Sequence, residues 1–338
     1  MQIRMLWSIL VLVSVFAAYQ ILQEYRERVL VEENNLKIGF ITDAHFDFRE
    51  EKRGEKKIEL NWQSKEALEY FVKKMNKKFH PDIVIEGGDF VNGADDDSRK
   101  TWIAANKIFE KINGLAYHVL GNHEVNTIDK DEWLRLTSYS KTYYYKDIDK
   151  KHKKFRVIVL DGNFFADGRP TKHGSYSKQG HINDEQLDWL KEVLTAANEQ
   201  QRDIIIFIHQ PPLKPFPKVE EDLFPQRKMI QGMFDKYKVR AVFSGHIERL
   251  CNIKKGNVNY FTLQGFWKDN RELKKEFRFK NAGSFYYITI KPSDVDTIME
   301  YRKFDKTIKG HHEEQFTGWY TLDVSEEYDC QGDKQLKD

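Results

Sequence analysis

The 338-residue chain is 40% hydrophobic and 32% charged, with 55 Lys and Arg against 53 Asp and Glu. That apolar share supports a real core, in one large α/β domain or two small ones. A formal charge of +2 lacks the basic excess of a nucleic-acid binder, and two cysteines exclude a disulfide scaffold or a Cys-rich zinc module.

From the N-terminus, Met5 to Tyr19 follows Arg4 and carries no charge. Residues 1–22 therefore read as a signal peptide, with small residues around Ala17, or as a signal anchor crossing a membrane once. The cleavage region lacks the polar, turn-forming character of a processed leader, which favours the anchor. The domain is then expected to be membrane-anchored and extracytoplasmic; the alternative is a secreted or periplasmic protein after cleavage. Residues 23–35 read as a linker, helical from Glu24 to Glu33.

Residues 36–305 alternate short apolar runs with helical spacing, and 306–338 read as a C-terminal tail. Strands are expected at Leu36 to Thr42, Ile83 to Glu86, Ala116 to Leu120, Phe155 to Leu160, Ile204 to Ile208 and Val239 to Phe243. Three more are expected at Val258 to Leu263, Phe285 to Ile290 and Thr297 to Tyr301, and Tyr143 to Tyr145 looks paired with Phe155 to Leu160. Helices are expected at Ser64 to Phe79, Trp102 to Ile112, and Asn183 to Ala197, the last with Asn183 as N-cap and Gln186 in the capping-box position. Helices between the early strands imply parallel pairing, and the helix-poor end implies antiparallel strands. The pattern fits an α/β fold with two layers of mixed sheet flanked by helices.

The polar clusters fall directly after strands. Asp43-Ala44-His45 follows the first, Gly88-Asp89 the second and Gly121-Asn122-His123-Glu124 the third; His209 ends Ile204 to Ile208, and Gly245-His246-Ile247-Glu248 follows Val239 to Phe243. Carboxylates, an amide oxygen and imidazoles without thiolates are ligands of Zn, Mn or Fe rather than of a structural zinc site. Ligands from five strand ends converge only at a common sheet edge. Singly, each is as compatible with an ordinary turn or a structural histidine; the ordered set carries the argument.

That set resembles the calcineurin-like metallophosphoesterase superfamily over roughly residues 36 to 265, with Pro211 behind His209 and the helix Gly180 to Leu194 also in place. The resemblance implies a four-layer α/β/β/α sandwich and a phosphoesterase needing two divalent ions, Mn, Fe or Zn. It also implies roles: Asp43 and His45 on a first metal, Asp89 bridging, and Asn122, His209 and His246 on a second. A metal-bridging hydroxide would attack phosphorus, with His123 as proton donor to the leaving oxygen. The implied partner is a phosphate-ester substrate: a phosphomonoester, a phosphodiester, or a nucleoside-diphosphate-linked compound such as ADP-ribose or a CDP-alcohol. Glu124 reads as a residue orienting His123 or a metal-bound histidine, or equally as a surface group.

One position departs from the family. The usual Gly-His-x-His ends here in Glu248, which can still bind the first metal, favouring a harder ion such as Mn, or can turn away and leave that site weak. Glu248 also supports a rival reading, a non-catalytic interaction module on the same fold, against which the retention of His123 and the other ligand positions argues. Gly310-His311-His312 reads as surface rather than as a substitute ligand. Asn92 reads as a substrate neighbour or a turn, and Phe164, Phe165, Tyr176, Phe266 and Trp267 as site walls or as packing. The bases among Arg271 to Lys280 read as a solvated loop or a contact to a diphosphate or anionic lipid. Cys251 and Cys330 form a disulfide if the domain is extracytoplasmic, two thiols being the more expected state.

Overall fold

The computed structural model describes residues 20–23, 32–46, 62–93, 98–172, 174, 178–213, 224–248, 251–266, 285–291, 297–307 and 310–316. One sheet contains β1 (Leu36–Ile41), β2 (Ile83–Glu86), β3 (Leu115–His118), β10 (Phe285–Ile290), β11 (Thr297–Thr307) and β12 (Gly310–Phe316), in the order β12-β11-β10-β1-β2-β3. The other contains β4 (Tyr144–Asp149), β5 (Lys154–Leu160), β6 (Asp203–Ile208), β7 (Ala241–Ser244), β8 (Cys251–Lys255) and β9 (Val258–Thr262), in the order β4-β5-β6-β7-β9-β8. β1, β2 and β3 are parallel, as are β5, β6, β7 and β9, while β10, β11, β12, β4 and β8 join antiparallel. The helices are α1 (Trp62–Lys74), running on into a π-helix at Met75–Phe79, then α2 (Ser98–Phe109), α3 (Asn122–Thr127), α4 (Lys130–Thr137), α5 (Asp184–Glu199) and α6 (Arg227–Lys236).

The central strands β1, β2, β5, β6 and β7 read as nearly unbroken apolar runs because both their faces are buried. Leu36, Ile38 and Phe40 of β1, Phe155, Val157 and Val159 of β5, and Ile205 and Phe207 of β6 point into one layer between the sheets. The alternate residues Ile158, Leu160, Ile204, Ile206 and Ile208 point the other way, onto α5 and α6. On the far side of the first sheet, Ile41, Phe285 and Tyr287 meet Leu68 and Phe71 of α1 and Trp102 and Phe109 of α2. Three separate buried layers therefore produce the expected order of helix, sheet, sheet, helix. Stacked rings tie the middle layer: Phe40 on Phe207 at 5.4 Å, Phe207 on Phe243 at 5.2 Å, and Phe243 on Phe261 at 4.8 Å between centroids.

Several elements differ from the sequence expectation. The helix expected from Trp102 begins at Ser98, and the strand expected from Val239 begins at Ala241, because the Val239 amide still bonds the Phe234 carbonyl at the end of α6. Asn183 caps α5 by accepting the Gln186 amide, but the Gln186 side chain bonds the Asp161 backbone instead of returning to the cap. β12 falls in the segment read as a tail and carries His311 and His312. The apolar segment Met5 to Tyr19 lies outside the described residues, among which no helix is long and apolar enough to cross a membrane. Cys251 is disulfide-bonded rather than a thiol; the only other cysteine, Cys330, lies outside the described residues.

Phe207 is fully buried within the ring stack, so Phe207→Ala is expected to lower unfolding free energy by about 3–5 kcal/mol. Met229→Ala, at a half-exposed position, is expected to stay within about 0.5 kcal/mol of the parent; urea unfolding measures both.

Candidate metal centre

Every candidate ligand lies just past the C-terminal end of a parallel strand, and the parallel pairing puts these ends at one edge. Backbone bonds continue the β1–β2 ladder past the strand ends: the amides of Asp43, His45 and Phe46 donate to the carbonyls of Gly88, Asp89 and Phe90, each at 2.9 Å. Two ligand-bearing loops are thereby zipped together before any side chain is considered.

Asp89 stands at the centre. Its Oδ2 lies 3.0 Å from His209 Nε2 and 3.9 Å from both His45 Nε2 and His123 Nε2, while Oδ1 accepts the His123 amide at 2.8 Å. Three groups of donor atoms, each within 4.8 Å of one another, share this neighbourhood: His45, Asp89 and His123; Asp89, His209 and His246; and Asp43, His45 and Glu248. Glu248 turns inward, with Oε1 3.4 Å from His45 Nε2. Asp43 is fully buried, accepts the Thr42 hydroxyl at 2.7 Å and takes the His246 amide on both oxygens at 3.0 Å.

Neighbouring backbone carbonyls fix which nitrogen of His209 and of His123 faces inward. His209 Nδ1 donates to the Gly87 carbonyl at 2.9 Å, and His123 Nδ1 to that of Asn92 at 2.5 Å, which aims both Nε2 atoms at Asp89. His246 uses its ring against the Lys178 backbone. Glu124 is buried rather than on the surface, and its hydrogen bonds go to backbone amides rather than to an imidazole. Its Oε2 accepts the amides of Asp89 and Gly121 at 3.0 and 2.9 Å, and its Oε1 that of Val91 at 3.0 Å. One carboxylate thus holds the loop of Asp89 to the start of α3, where Asn122 sits. Gly121 and Gly245 are required by close approach: a Cβ at Gly121 would lie 2.1 Å from the Asp89 nitrogen, and one at Gly245 2.2 Å from Asp43 Oδ2.

Backbone strain is concentrated here. Of nine non-glycine residues at positive φ among those described, five are Asp43, His45, Asp89, His246 and Glu248. The other four, His80, Ser138, Gln201 and Lys238, sit at or just beyond helix C-termini, where that conformation is ordinary. Each strained residue costs roughly 1–3 kcal/mol and persists where surrounding contacts over-determine it.

The electrostatics express the crowding of carboxylates. Burial pushes Asp43 up to about 7, with the Asp89 and Glu248 charges adding to it and His209 opposing. Burial works to lower His45 and His209, but the bond to Glu248 and the charges of Asp89 and Asp43 carry His45 up to about 9. Asp89 and Asp43 likewise raise His209 to about 10. His246 is pushed down to about 3, chiefly by burial with His209 adding to it. Asp89 is held well below the usual carboxylate range by His209, against its burial. Such a donor set calls for positive charge at its centre. Asn122 adds to it: its Oδ1 and Nδ2 are buried and without a hydrogen-bond partner, which suits an amide oxygen kept for a cation. The residues fit divalent ions, with carboxylates on the side of Asp43, His45 and Glu248 and two imidazoles on the side of His209 and His246.

Other residues singled out by sequence are placed differently. Phe266 is fully buried against Phe46 in the core beneath α1 and α2, so it does not stack on a ligand. Phe164 is buried with Lys130 Nζ 3.4 Å from its ring centroid, and Lys130 also pairs with Asp161 at 2.6 Å. Tyr176, Trp267 and the bases from Arg271 to Lys280 lie outside the described residues. The contacts that hold Asp89's turn from behind, made by Glu86, were not foreseen; a lone acid inside an apolar strand was the available signal.

A model of the calcineurin-like phosphoesterase family matches residues 36–249. Manganese-dependent ADP-ribose/CDP-alcohol diphosphatases are similar to this chain: that of Oryza sativa is 25% identical over 53% of this chain and 67% of its own length, and that of Arabidopsis thaliana 26% identical over 53% and 69%. Among solved structures, a dimetal phosphatase of Danio rerio superposes with a TM-score of 0.58 at 16% identity, covering 78% of this chain and 98% of that one. GAP50, the anchor in the inner membrane complex of Plasmodium, superposes with a TM-score of 0.52 at 14% identity, over 86% and 91%. These two likenesses are of fold.

Glu124→Gln puts an amide NH2 against a backbone N–H and weakens the hold on Asp89's turn. Its manganese dissociation constant is expected to rise about 10–100-fold by calorimetric titration; an unchanged value would mean the turn stands without Glu124.

Proposed function

Because the chain belongs to the calcineurin-like phosphoesterases and is thus a metal-dependent phosphoric ester hydrolase using two divalent ions, we propose that it cleaves the diphosphate link of nucleoside-diphosphate-linked compounds such as ADP-ribose or CDP-alcohols, with manganese as its metal. The names of the two plant relatives support the substrate class. The observation that carries the reading is Asp89: one buried carboxylate oxygen lies 3.0 Å from His209 Nε2 and 3.9 Å from His45 Nε2, so Asp89 could serve cations held by either group of donors. Asp43, His45, Asp89 and Glu248 would hold the first, and Asp89, Asn122, His209 and His246 the second. Three carboxylates around one imidazole make the first position the harder of the two, which favours manganese.

When bound, the cations supply charge to the phosphoryl oxygens and lower the pKa of a water. The chain's own residues do the rest. His123, anchored through Nδ1 on Asn92, presents Nε2 toward the same centre, where it hydrogen-bonds a substrate oxygen and delivers a proton to the leaving one. The backbone bonds between the Asp43 and Asp89 loops hold the donors in place, so little reorganisation accompanies turnover. The disulfide at Cys251 supports an oxidising compartment for the domain.

The test is a metal count and an assay on one sample with added manganese, using ADP-ribose, a CDP-alcohol, a chromogenic monoester and a chromogenic diester. The expected result is two ions per chain, preference for the diphosphates, and loss of turnover in Asp89→Asn with the fold retained. A folded chain holding one ion or none and turning over none of these would instead establish a scaffold role. Glu248→Ala is expected to reduce the manganese count from two to one; two ions retained would remove Glu248 from the ligand set. His123→Ala is expected to slow esters with poor leaving groups more than activated ones, and equal losses on both would exclude it as the proton donor.

A further inference from the structure

Next to the turn that carries Asp89, a line of buried polar groups runs among aromatic side chains. Glu86, the last residue of β2, is 1% exposed, and His118, the last of β3, is 5% exposed. Glu86 Oε2 lies 3.0 Å from His118 Nδ1, and His118 Nε2 lies 2.9 Å from Asn106 Oδ1. Asn106 Nδ2 donates to Glu110 Oε1 at 2.9 Å. At the other end, Glu86 Oε1 accepts the Gly88 amide at 2.8 Å. The rings of Phe90, Trp102 and Phe109 surround the imidazole at 4.7 to 5.3 Å.

Donor and acceptor bookkeeping places a proton on His118 Nε2, and neutrality of the imidazole then decides the rest. Glu110 takes an amide hydrogen of Asn106, which leaves the amide oxygen for His118, so Nε2 carries a proton. In a neutral imidazole Nδ1 is then the acceptor, and Glu86 must be the donor, as a carboxylic acid. Both members have physical reason to be neutral. Burial pushes Glu86 well above the ordinary carboxylate range, and the Asp43 and Asp89 charges add to it; burial also pushes His118 down to about 3.

The line does not end at Gly88. The N–H that Glu86 accepts and the carbonyl that accepts His209 Nδ1 at 2.9 Å belong to one peptide unit, Gly87–Gly88. The next carbonyl, of Gly88, accepts the Asp43 amide at 2.9 Å. Rotating that peptide plane would break the bond to Glu86 and release His209 together. Hydrogen bonds in such a chain polarise one another in a low-dielectric interior.

We propose that Glu86, His118 and Asn106 form an uncharged hydrogen-bond relay that sets the Gly87–Gly88 peptide plane and through it the orientation and tautomer of His209, making Glu86 and His118 positioning residues for the second metal position. The proposal rests on the metal-centre reading given under Proposed function. It makes a sharp distinction between two substitutions. Glu86→Gln keeps an acceptor toward Gly88 and a donor toward His118, reproducing a protonated acid. Glu86→Leu removes both and leaves the Gly88 amide and His118 Nδ1 unpaired.

Manganese titration of the full-length chain, followed by the electron paramagnetic resonance signal of the free ion, reads the effect without turnover. Glu86→Gln is expected to bind within about threefold of the parent, and Glu86→Leu about tenfold or more weaker at one of its two sites. In the assay, Glu86→Leu is expected to lose kcat with KM nearly unchanged. Glu86→Leu binding like the parent would overturn the relay while leaving the metal centre intact, and a parent that binds no manganese would overturn both. Glu86→Gln as weak as Glu86→Leu would show a carboxylate and overturn the uncharged relay. Should Glu86→Leu fail to fold, the 15N spectrum of histidine-labelled parent decides: a single proton on His118 Nε2 supports the relay, and two protons overturn it.

Discussion

The structure is organised around the problem of keeping one buried carboxylate in place among three imidazoles. Asp89 is 2% exposed, and its Oδ2 faces His45, His123 and His209 while its Oδ1 and backbone are held by other groups. A buried carboxylate is tolerable only when hydrogen-bonded and paired. Each structural layer contributes to that pairing. The first sheet provides the turn that carries Asp89 and the loop that carries Asp43 and His45; α3 provides the amide of His123; and the second sheet provides His209 and, beyond β7, His246. Because the imidazoles arrive from both sheets, the aromatic layer between the sheets sets the width across which they meet. Core packing and site geometry are one constraint seen at two distances.

The strained backbone follows from that requirement. Five residues with side chains around the centre adopt left-handed φ, which a β-strand leading straight into a loop would not impose. Glu248 shares this feature with Asp43, His45, Asp89 and His246, and its side chain points in, although the family pattern would place an imidazole there. Glu248 thus shares the backbone conformation of the candidate ligands around it. Glu124 belongs to the same economy from outside, since its two oxygens absorb three backbone amides that the sharp turns leave without partners.

Much of this was legible in the sequence because the information is local. A β-branched run followed at once by Asp, His or Asn identifies a strand end and its cargo within a few residues, and burial on both faces explains why those runs are continuous. What escaped was set by distant contacts. β8 and β12 have mixed polar sequences whose strand character comes from pairing with β9 and β11. α3 and α4 are short, and α3 lies within the motif itself, so ligand chemistry masked helical pattern. Phe266 sits beside a ligand loop in sequence, yet its ring joins the core beneath α1 and α2. The pairing of Glu86 with His118 joins two strands that individually read only as apolar.

One feature of the first sheet bears on how the protein is made. β1 lies between β2, which follows it closely in sequence, and β10, with Leu36 opposite Ile290. During synthesis β1 can zip to β2 early, but its other edge stays open until nearly the whole domain has left the ribosome. Asp43 and His45 hang from that strand, and the residues that face them across the centre, His209, His246 and Glu248, also emerge late. The candidate ligands are therefore translated in one order and gathered in another, with the closing strand arriving after all of them. Long-range closure of this kind slows folding, and it leaves β1 as the exposed edge on which a chain interrupted before β10 would pair with its neighbours.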